Sequence, residues 1–384
     1  MEKLIHKYAA KLVAARMADP GGPLLAGMDD EVVWNREDPA RGTLLEVMAS
    51  LNINSMLHCR PAEPYGSIVE HLAKASGAAI EPGDTETRTF LHDLPVAPTL
   101  EASELAGRLQ RRKSVISPGG FVTTFGTVSP EEAFIVFSSV CFACFVKFLS
   151  DCLAAVRERD LTARERRLIA AVEDQLSPLP GDPGGLVRSG PCSTEAEVHA
   201  EMARVGRLVV EHELVDSYFG NISYLLDGVL HISQTGSSMD ELEGCIDPCP
   251  LDGSSSAGIT ASSELTAHLG IIERTRARAI LHGHPRFSVA ISLDCDVPDC
   301  PGRGRCHLEC SRDRFVGDVP IVPGEVGTGK YGLCNQVPQA LVGRRGAIVY
   351  GHGVFTSGKD DFTDAVAGLF DIERMCREEF FRRI

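Results

Sequence analysis

Three histidines near the C-terminal end have the types and spacing of a metal site. His282 and His284 close an apolar run, and residues i and i+2 of an extended chain point to the same face, so both imidazoles can converge on one ion. His352 stands between two glycines after a second apolar run at 347–350. Three neutral imidazoles suit zinc and leave an open coordination position, which is typical of catalytic sites. Ordinary polar histidines at strand ends are the alternative.

Residues upstream of these histidines could bind an anion and move a proton. Ser262 and Ser263 open a predicted helix, whose unpaired N–H groups and hydroxyls favour a phosphate. Glu264 follows them and could act as a general acid/base near the metal. These residues could instead form only a helix cap with a first-turn acid. Turns at 220–223 and 234–238 also offer amide, hydroxyl and glycine groups that could cradle phosphate oxygens.

The hydrophobic pattern predicts the elements that position these residues. A capping box of Thr194 and Glu197 opens the first helix of the second half. The predicted order is helix 194–214, strand pair 222–234, helix 263–275, strand 278–284, strand 346–350, short strand 353–356 and helix 360–382. The predicted fold class is therefore α/β, with helices around a central sheet.

The order of these motifs resembles that of the class II aldolase/adducin family over about residues 194–384. The matching motifs are Gly-Asn-Ile-Ser at 220–223, Thr-Gly-Ser-Ser at 235–238, Ser-Ser-Glu at 262–264, His-Gly-His-Pro at 282–285, the stretch 323–328 and Gly-His-Gly-Val at 351–354. The resemblance implies αβα layers around a central, mainly antiparallel sheet. It implies that Glu264 is the catalytic acid/base and that the metal ligands are His282, His284 and His352. It also implies a substrate phosphate held by Gly220, Asn221, Thr235, Gly236, Ser262 and Ser263.

The function that the resemblance implies is that of a divalent-metal-dependent carbon–carbon lyase. The expected reaction is retro-aldol cleavage of a small phosphorylated ketose through an enediolate that the metal stabilises. An epimerase, dehydratase or decarboxylase acting on a sugar phosphate is compatible with the same site. An adducin-like interaction protein without catalysis is the alternative from another class. Aldolases of the family use tyrosines as proton donors, and because no tyrosine follows Tyr350 here, the donor is unassigned.

A cysteine-rich insertion at 294–314 departs from the usual family members. Its four cysteines lie within sixteen residues, in a stretch too rich in turns for a regular helix or strand. We expect them to bind a second metal: structural zinc first, because four thiolates close a tetrahedral shell, and an iron–sulfur cluster second. Free thiols in a loop are the alternative. The four residues are Cys295, Cys300, Cys306 and Cys310.

The length of 384 residues and a break in composition predict two domains. Residues 177–185 contain three prolines and three glycines, so the predicted linker, with the helix before it, spans 156–192. A weak internal repeat relates the run at 55–61 to that at 279–285, with Arg60 in place of His284 and Gly119 in place of His352. We therefore predict a tandem duplication, with a degenerate aldolase-like domain without a metal site at 1–155 and a catalytic domain at 193–384. Chance similarity is the alternative.

Charge and composition limit the partners of the protein. The net charge of -15 and the pI of about 5.3 argue against nucleic acid, because binding to phosphates needs a basic surface. No segment is predicted to span a membrane, since the longest apolar stretch, at 133–149, is short and interrupted. Thirteen cysteines without a secretory signal fit the cytoplasm. A homo-oligomer, namely a dimer of tandem chains, is expected.

Overall fold

The chain forms two compact units in the computed structural model, which describes all residues except 217, 255–258, 298 and 326. The first unit is Met1–Leu176 and the second is Ser177–Ile384. The division between them falls inside the stretch at 156–192 that was assigned to a helix and a linker. The helix Ala163–Gln175 in that stretch belongs to the first unit. Within this unit, Oε1 of its Glu165 lies 3.6 Å from Nε2 of His71.

The first unit is a sheet covered by helices on both faces. Its helices are α1 (Glu2–Ala14), α2 (Arg41–Leu51), α3 (Tyr65–Ser76), α4 (Thr85–Leu91), α5 (Ala102–Leu109), α6 (Pro130–Glu158) and α7 (Ala163–Gln175). Its strands are β1 (Leu24–Met28), β2 (Val32–Trp34), β3 (Ser55–Cys59), β4 (Ala79–Ile80), β5 (Leu94–Pro95), β6 (Ser114–Ser117) and β7 (Phe121–Gly126). Five of these strands form an antiparallel sheet in the order β2-β1-β3-β7-β6.

The long helix α6 explains the apolar run at 133–149. Its first residue, Pro130, suits a helix start, and the helix packs against α1, α3 and the sheet. By length and composition it is the one described helix that could cross a membrane, yet 83% of its most apolar window is buried within the protein. Burial of this kind is typical of the core helix of a globular domain.

The second unit contains a larger sheet, also between helices. Its helices are α8 (Glu195–Glu211), α9 (Leu265–Thr275), α10 (Arg286–Leu293), α11 (Leu333–Ala340) and α12 (Thr363–Arg383), with a short 3₁₀ turn at Gly184–Leu186. Its strands are β8 (Asn221–Leu226), β9 (Val229–Ser233), β10 (Ile246–Pro250), β11 (Ala279–Gly283), β12 (Arg314–Val316), β13 (Val319–Val322), β14 (Gly346–Val349) and β15 (Gly353–Gly358). Among the described residues the sheet order is β10-β9-β8-β11-β15-β14-β13-β12.

Each face of this sheet is buried by a different set of helices. Ile232, Ile280 and Phe355 belong to the core that packs against α9 and α11. On the opposite face, α8 packs against β8, and α12 packs against β11, β14 and β15. Only the β13–β14 pair is parallel within the described part of the sheet. The unit is thus an αβα sandwich around a mainly antiparallel sheet.

Four elements of the second unit contain or directly follow prolines, and the sequence patterns did not predict them. β10 contains Pro248 and Pro250, and prolines are tolerated because this strand lies at the sheet edge. β13 contains Pro320 and α11 contains Pro338, which weaken a strand or helix pattern. The helix α10 begins directly after Pro285, where the sequence analysis ended a strand and predicted nothing further.

The two units share one order of elements. Strands β2-β1-β3-β7-β6 of the first unit and β9-β8-β11-β15-β14 of the second occupy the same sequence of positions, and every pair in both sets is antiparallel. In chain order, each set of five strands follows a helix, has a helix between its second and third strands, and is followed by another helix. In this correspondence β3 takes the place of β11, and His58 takes that of His282.

His58 is a buried histidine that contacts neighbouring side chains and does not belong to a cluster of metal donors. Its Nδ1 lies 2.8 Å from the Thr123 hydroxyl and its ring stacks on Phe121. Burial lowers the pKa of His58 from 6.5 to about 4, although Asp38 opposes the shift. No three His, Cys, Asp or Glu donors converge within 4.8 Å anywhere in residues 1–176, all of which are described.

We predict that His58→Gln flattens the acid dependence of the first unit's stability. Between pH 6.5 and about 4 the unfolded chain holds a proton on this histidine that the folded unit does not, so stability falls as the pH falls, by up to about 1.4 kcal/mol per pH unit. The single tryptophan, Trp34, lies in this unit and reports its urea unfolding by fluorescence. His6→Gln, on the exposed face of α1, is the control and should retain the wild-type slope. An unchanged slope in His58→Gln would contradict the assignment.

Candidate metal centre and active site

His282 is fixed in the middle of the sheet. It lies on β11 between Asn221 of β8 and Phe355 of β15, and its ring stacks on that of Phe355 with centroids 3.9 Å apart. Its Nδ1 donates to the carbonyl of Val354 at 3.0 Å. Because that bond fixes the tautomer, Nε2 is left as the metal-binding nitrogen.

His284 is held where β11 ends and α10 begins. Its backbone N–H donates to the carbonyl of Leu214 at 2.9 Å. The buried carboxylate of Glu373 then caps α10, accepting from the N–H groups of Phe287 and Ser288 at 3.2 and 3.0 Å. These contacts set the angle at which the chain leaves the strand, and with it the direction of the imidazole.

His352 occupies the tight turn between β14 and β15. Gly351 has φ +60, and its N–H donates to the Ser292 hydroxyl at 2.8 Å. Gly353 permits a close approach, because a Cβ there would lie 2.4 Å from the carbonyl oxygen of Gly283 and 2.7 Å from Cε1 of His282. The two glycines therefore allow the turn to place its histidine against the other two.

The three histidines form one cluster with the geometry of a metal site. Their ligand nitrogens lie within 4.8 Å of one another, all three side chains are buried, and Nε2 of His282 lies 2.9 Å from Nε2 of His284. A tetrahedral zinc ion with bonds of about 2.0–2.1 Å needs donors roughly 3.4 Å apart, so the donor set fits. Burial lowers the pKa of His282 to about 4 and that of His284 well below its usual value, which keeps both imidazoles neutral as ligands must be.

Glu264 places one negative charge beside these imidazoles. It is buried at the start of α9, with Oε1 3.0 Å from Nε2 of His352 and Oε2 3.5 Å from Nε2 of His282. Burial alone would raise the pKa of this carboxyl, but its electrostatic attraction to His282 and His352 and the hydrogen bonds it accepts from His352 and Asn221 lower the pKa well below its usual range. An ionised carboxylate beside these imidazoles gives the site a negative group that attracts a divalent cation.

A chain of hydrogen bonds fixes the orientation of Glu264. The hydroxyl of Ser223 donates to Nδ1 of His268 at 2.7 Å, Nε2 of His268 donates to Oδ1 of Asn221 at 2.6 Å, and Nδ2 of Asn221 donates to Glu264 at 2.7 Å. All four groups are buried, and burial lowers the pKa of His268 to about 3, so it stays neutral. The sequence analysis missed His268 and its hydroxyl partner. The available signal was that His268 follows Glu264 by four residues, which places both on one helix face.

The model of the class II aldolase and adducin N-terminal domain family matches residues 200–380, which include every residue of the histidine and glutamate cluster. The second unit belongs to this family. The resemblance inferred from the motifs is thereby confirmed for this unit. No curated protein matches the chain.

Three solved structures that are similar to this chain each cover about half of it. L-fuculose-1-phosphate aldolase from Thermus thermophilus is 25% identical, with 49% of this chain and 95% of that chain covered and a TM-score of 0.39. A sugar-phosphate aldolase from Thermotoga maritima is 19% identical, with 49% and 94% covered and a TM-score of 0.35. L-fuculose 1-phosphate aldolase from Glaciozyma antarctica is 17% identical, with 52% and 79% covered and a TM-score of 0.35.

The residues that were expected to bind phosphate fall into two groups in the class II aldolase unit. Thr235 and Ser262 lie on neighbouring segments, because the N–H of Thr235 donates to the carbonyl of Thr260 and that of Ser262 to the carbonyl of Ser233. Gly236 has φ +72 with open space around it, and Ser263 is exposed. Asn221 differs from this group, since both ends of its amide are engaged by Glu264 and His268. Gly220, at φ +112, lies against the carbonyl of His282.

The four cysteines of the insertion line one cavity of about 330 Å³, together with residues of α10, β12 and the end of α12. None of the four is in a disulfide. Within the described residues no three of these thiols lie within 4.8 Å of one another, so a four-thiolate shell is not assembled in this conformation. The second metal centre stays a prediction. Tyr350 borders the insertion: burial and Cys306 raise its pKa to about 12, so it keeps its proton at neutral pH.

We predict that Gly353→Ala weakens metal binding by about 10–100-fold, the range typical of changes to groups that orient ligands. The added methyl would displace the His282 imidazole or the turn that bears His352. Single Ala substitutions of His282, His284 or His352 should abolish binding of this ion. Metal affinity by competition with a chromogenic chelator is the measurement. Gly329→Ala, where a Cβ meets nothing within 4 Å, is the control; equal affinity in both glycine variants would contradict the geometry.

Proposed function

We propose that the second unit is a divalent-metal-dependent lyase that cleaves a small phosphorylated ketose by a retro-aldol reaction. The observation that carries this proposal is the contact of a buried, ionised Glu264 with two of three buried histidines that converge on one point. Three imidazoles leave one position of a tetrahedral zinc ion open, which is the arrangement of catalytic rather than structural sites. When bound, the ion would supply Lewis-acid polarisation of the substrate carbonyl.

The three histidines would hold the ion, and aromatic rings pack beside two of them. The hydrogen bond from His282 to Val354 and the turn around His352 fix two rings before the ion binds, so little reorganisation accompanies loading. Phe219 stacks on His284 with centroids 5.8 Å apart, and Phe355 stacks on His282. These aromatic rings exclude water from the imidazoles and strengthen electrostatic contacts within the site.

Glu264 accepts and returns the proton in the proposed reaction. Its lowered pKa keeps it ionised at neutral pH, which is the form that can accept a proton. Asn221 and His268 act as positioning residues, because the Asn221 amide holds Oε2 of the carboxylate while Oε1 contacts His352.

The substrate phosphate is proposed to bind at the N-terminal end of α9. The turn of Thr235 and Gly236 lies beside the Ser262–Ser263 segment, and the N–H groups of the helix start favour an anion. Glu264 is the residue between this anion pocket and the metal ligands, so a short phosphorylated molecule could span both. Because the amide of Asn221 donates to Glu264, we propose that Asn221 orients this carboxylate and does not serve only to bind the phosphate.

Epimerisation, dehydration and decarboxylation of a sugar phosphate use related chemistry at such a site, so a panel of substrates must decide among them. The adducin-like alternative is disfavoured because loss of catalysis should remove the metal ligands first, whereas all are in place here. We infer that the first unit is a copy that lost its site: it has the same order of elements, with His58 in place of His282 and Arg60 in place of His284.

Turnover by the metal-free and reloaded protein tests this proposal. The full chain is treated with a chelator, dialysed, and assayed on ketose 1-phosphates and sugar-acid phosphates before and after addition of one equivalent of Zn²⁺. We expect release of a triose phosphate fragment from at least one ketose phosphate, only after reloading. Metal-dependent turnover without carbon–carbon cleavage would replace the lyase with one of its alternatives. Turnover that chelation leaves unchanged would overturn the metal-dependent mechanism.

We predict that Glu264→Gln lowers kcat by about 10²–10⁴-fold, the usual contribution of a general acid/base, while one equivalent of metal is retained. The amide has the same shape but cannot accept the proton. Steady-state kinetics and metal counting on the same preparation are the measurements. Glu273→Gln, an exposed glutamate on the same helix, is the matched control. A full-activity Glu264→Gln variant would move proton transfer to another group, with Tyr350 the first to test.

A further inference from the structure

A second group of metal-type donors lies away from the active site, where α8 meets β9. It consists of Glu195, His199 and His231, whose ligand atoms all lie within 4.8 Å of one another. Nε2 of His199 is 3.1 Å from Nδ1 of His231 and 3.8 Å from Oε1 of Glu195. Neighbouring donors of one ion with metal–ligand bonds of about 2.1 Å are roughly 3.0–3.4 Å apart, so the first separation fits this spacing and the second is slightly longer.

The elements of the fold hold these donors in register. Glu195 and His199 are four residues apart, so they share one face of the first turns of α8. The helix start is fixed by Thr194, whose hydroxyl accepts from the N–H of Glu197 at 3.3 Å. His231 approaches from β9 and is 3% exposed, whereas the side chains of His199 and Glu195 are 33% and 64% exposed. The group is therefore buried on the sheet side and open to solvent on the helix side.

This group is on the opposite face of the sheet from His282. His231 pairs directly with Tyr224, and Tyr224 pairs with Ala279, so these three side chains share one face. Ala279 and His282 are three residues apart on β11 and point to opposite faces. The two histidine groups thus cannot share an ion, and each can be removed without touching the other.

We propose that Glu195, His199 and His231 form a second binding site for a divalent transition-metal ion such as Zn²⁺. A His–His hydrogen bond alone would account for two of the nitrogens but not for the carboxylate that faces the same nitrogen. Two imidazoles and one carboxylate make a set of borderline and hard ligands that suits first-row divalent ions. Burial, together with the charge of His199, lowers the pKa of His231, so this ligand is neutral and ready to bind.

An ion at this position would join the first helix of the unit to the strand that leads to the proposed phosphate turn. His231 precedes Ser233 by two residues, and the carbonyl of Ser233 accepts from the N–H of Ser262. Thr235 follows Ser233 by two residues. The site would thus tie α8 to the segment that carries part of the proposed substrate pocket, while its own ligands take no part in the reaction.

Metal counting on the full chain tests this second site. Wild type and the solvent-side variants His199→Ala and Glu195→Gln are dialysed against a low excess of Zn²⁺, and bound zinc is measured by mass spectrometry. We expect one equivalent fewer in His199→Ala than in wild type, and at least about 10-fold weaker binding of that equivalent in Glu195→Gln, as for other losses of a metal-site group. Glu211→Gln, at the exposed end of the same helix, is the matched control and should keep the wild-type count.

Thermal unfolding with and without Zn²⁺ gives a readout that is independent of activity. Binding to the folded state raises Tm with zinc concentration. In a His282→Ala background, which removes the active-site ion, we expect a zinc-dependent rise in Tm that His199→Ala abolishes. Two results together would overturn the second site and leave a plain His199–His231 hydrogen bond. They are an equal zinc count in wild type and His199→Ala, and an equal zinc-dependent rise in Tm in His282→Ala and in the His282→Ala/His199→Ala double variant. Neither result depends on whether the unit proves to be a lyase.

Discussion

The antiparallel pairing of β11 with β15 is the contact on which the site depends. It sets His282 opposite Phe355 and brings the turn at Gly353 against the end of β11. A slip of one residue would send His282 to the other face of the sheet, because side chains alternate along a strand. The same pairing gives the Val354 carbonyl the position from which it fixes the tautomer of His282. One register therefore determines which nitrogens converge and which of them can bind a metal.

Electrostatics then explains why the converged residues have these protonation states. Burial removes charge from the imidazoles, whereas Glu264 keeps its charge because polar neighbours compensate for the loss of water. The amide of Asn221 is one of the groups that lower the pKa of this carboxylate, and the ring of His268 holds that amide in place. The hydrogen-bond chain back to Ser223 is thus as much a part of the site as the metal ligands.

Local patterns predicted the candidate ligands that the structure brings together, because the constraints on them are local. Two histidines at i and i+2 at a strand end, and a histidine between glycines, are readable from the chain, as is Glu264 at a helix start. His268 could not be assigned in the same way, since its partners are 45 and 47 residues away and only the fold brings them together. The strands β10 and β13 contain prolines, which sequence patterns count against a strand; β10 tolerates them because it lies at the sheet edge, whereas β13 lies between β12 and β14. The cysteine insertion has no repeating pattern, so its conformation followed only from the three-dimensional structure.

The coordination shell of the bound ion tests the central claim most directly. X-ray absorption at the zinc edge, on the full-length His199→Ala variant loaded with one equivalent of Zn²⁺, reports the type and distance of the ligands. The account predicts three imidazole nitrogens at about 2.0–2.1 Å and a remaining oxygen ligand at a similar distance. Sulfur ligands at about 2.3 Å would instead place the ion in the cysteine-rich insertion, and would contradict the assignment of His282, His284 and His352 as the metal centre.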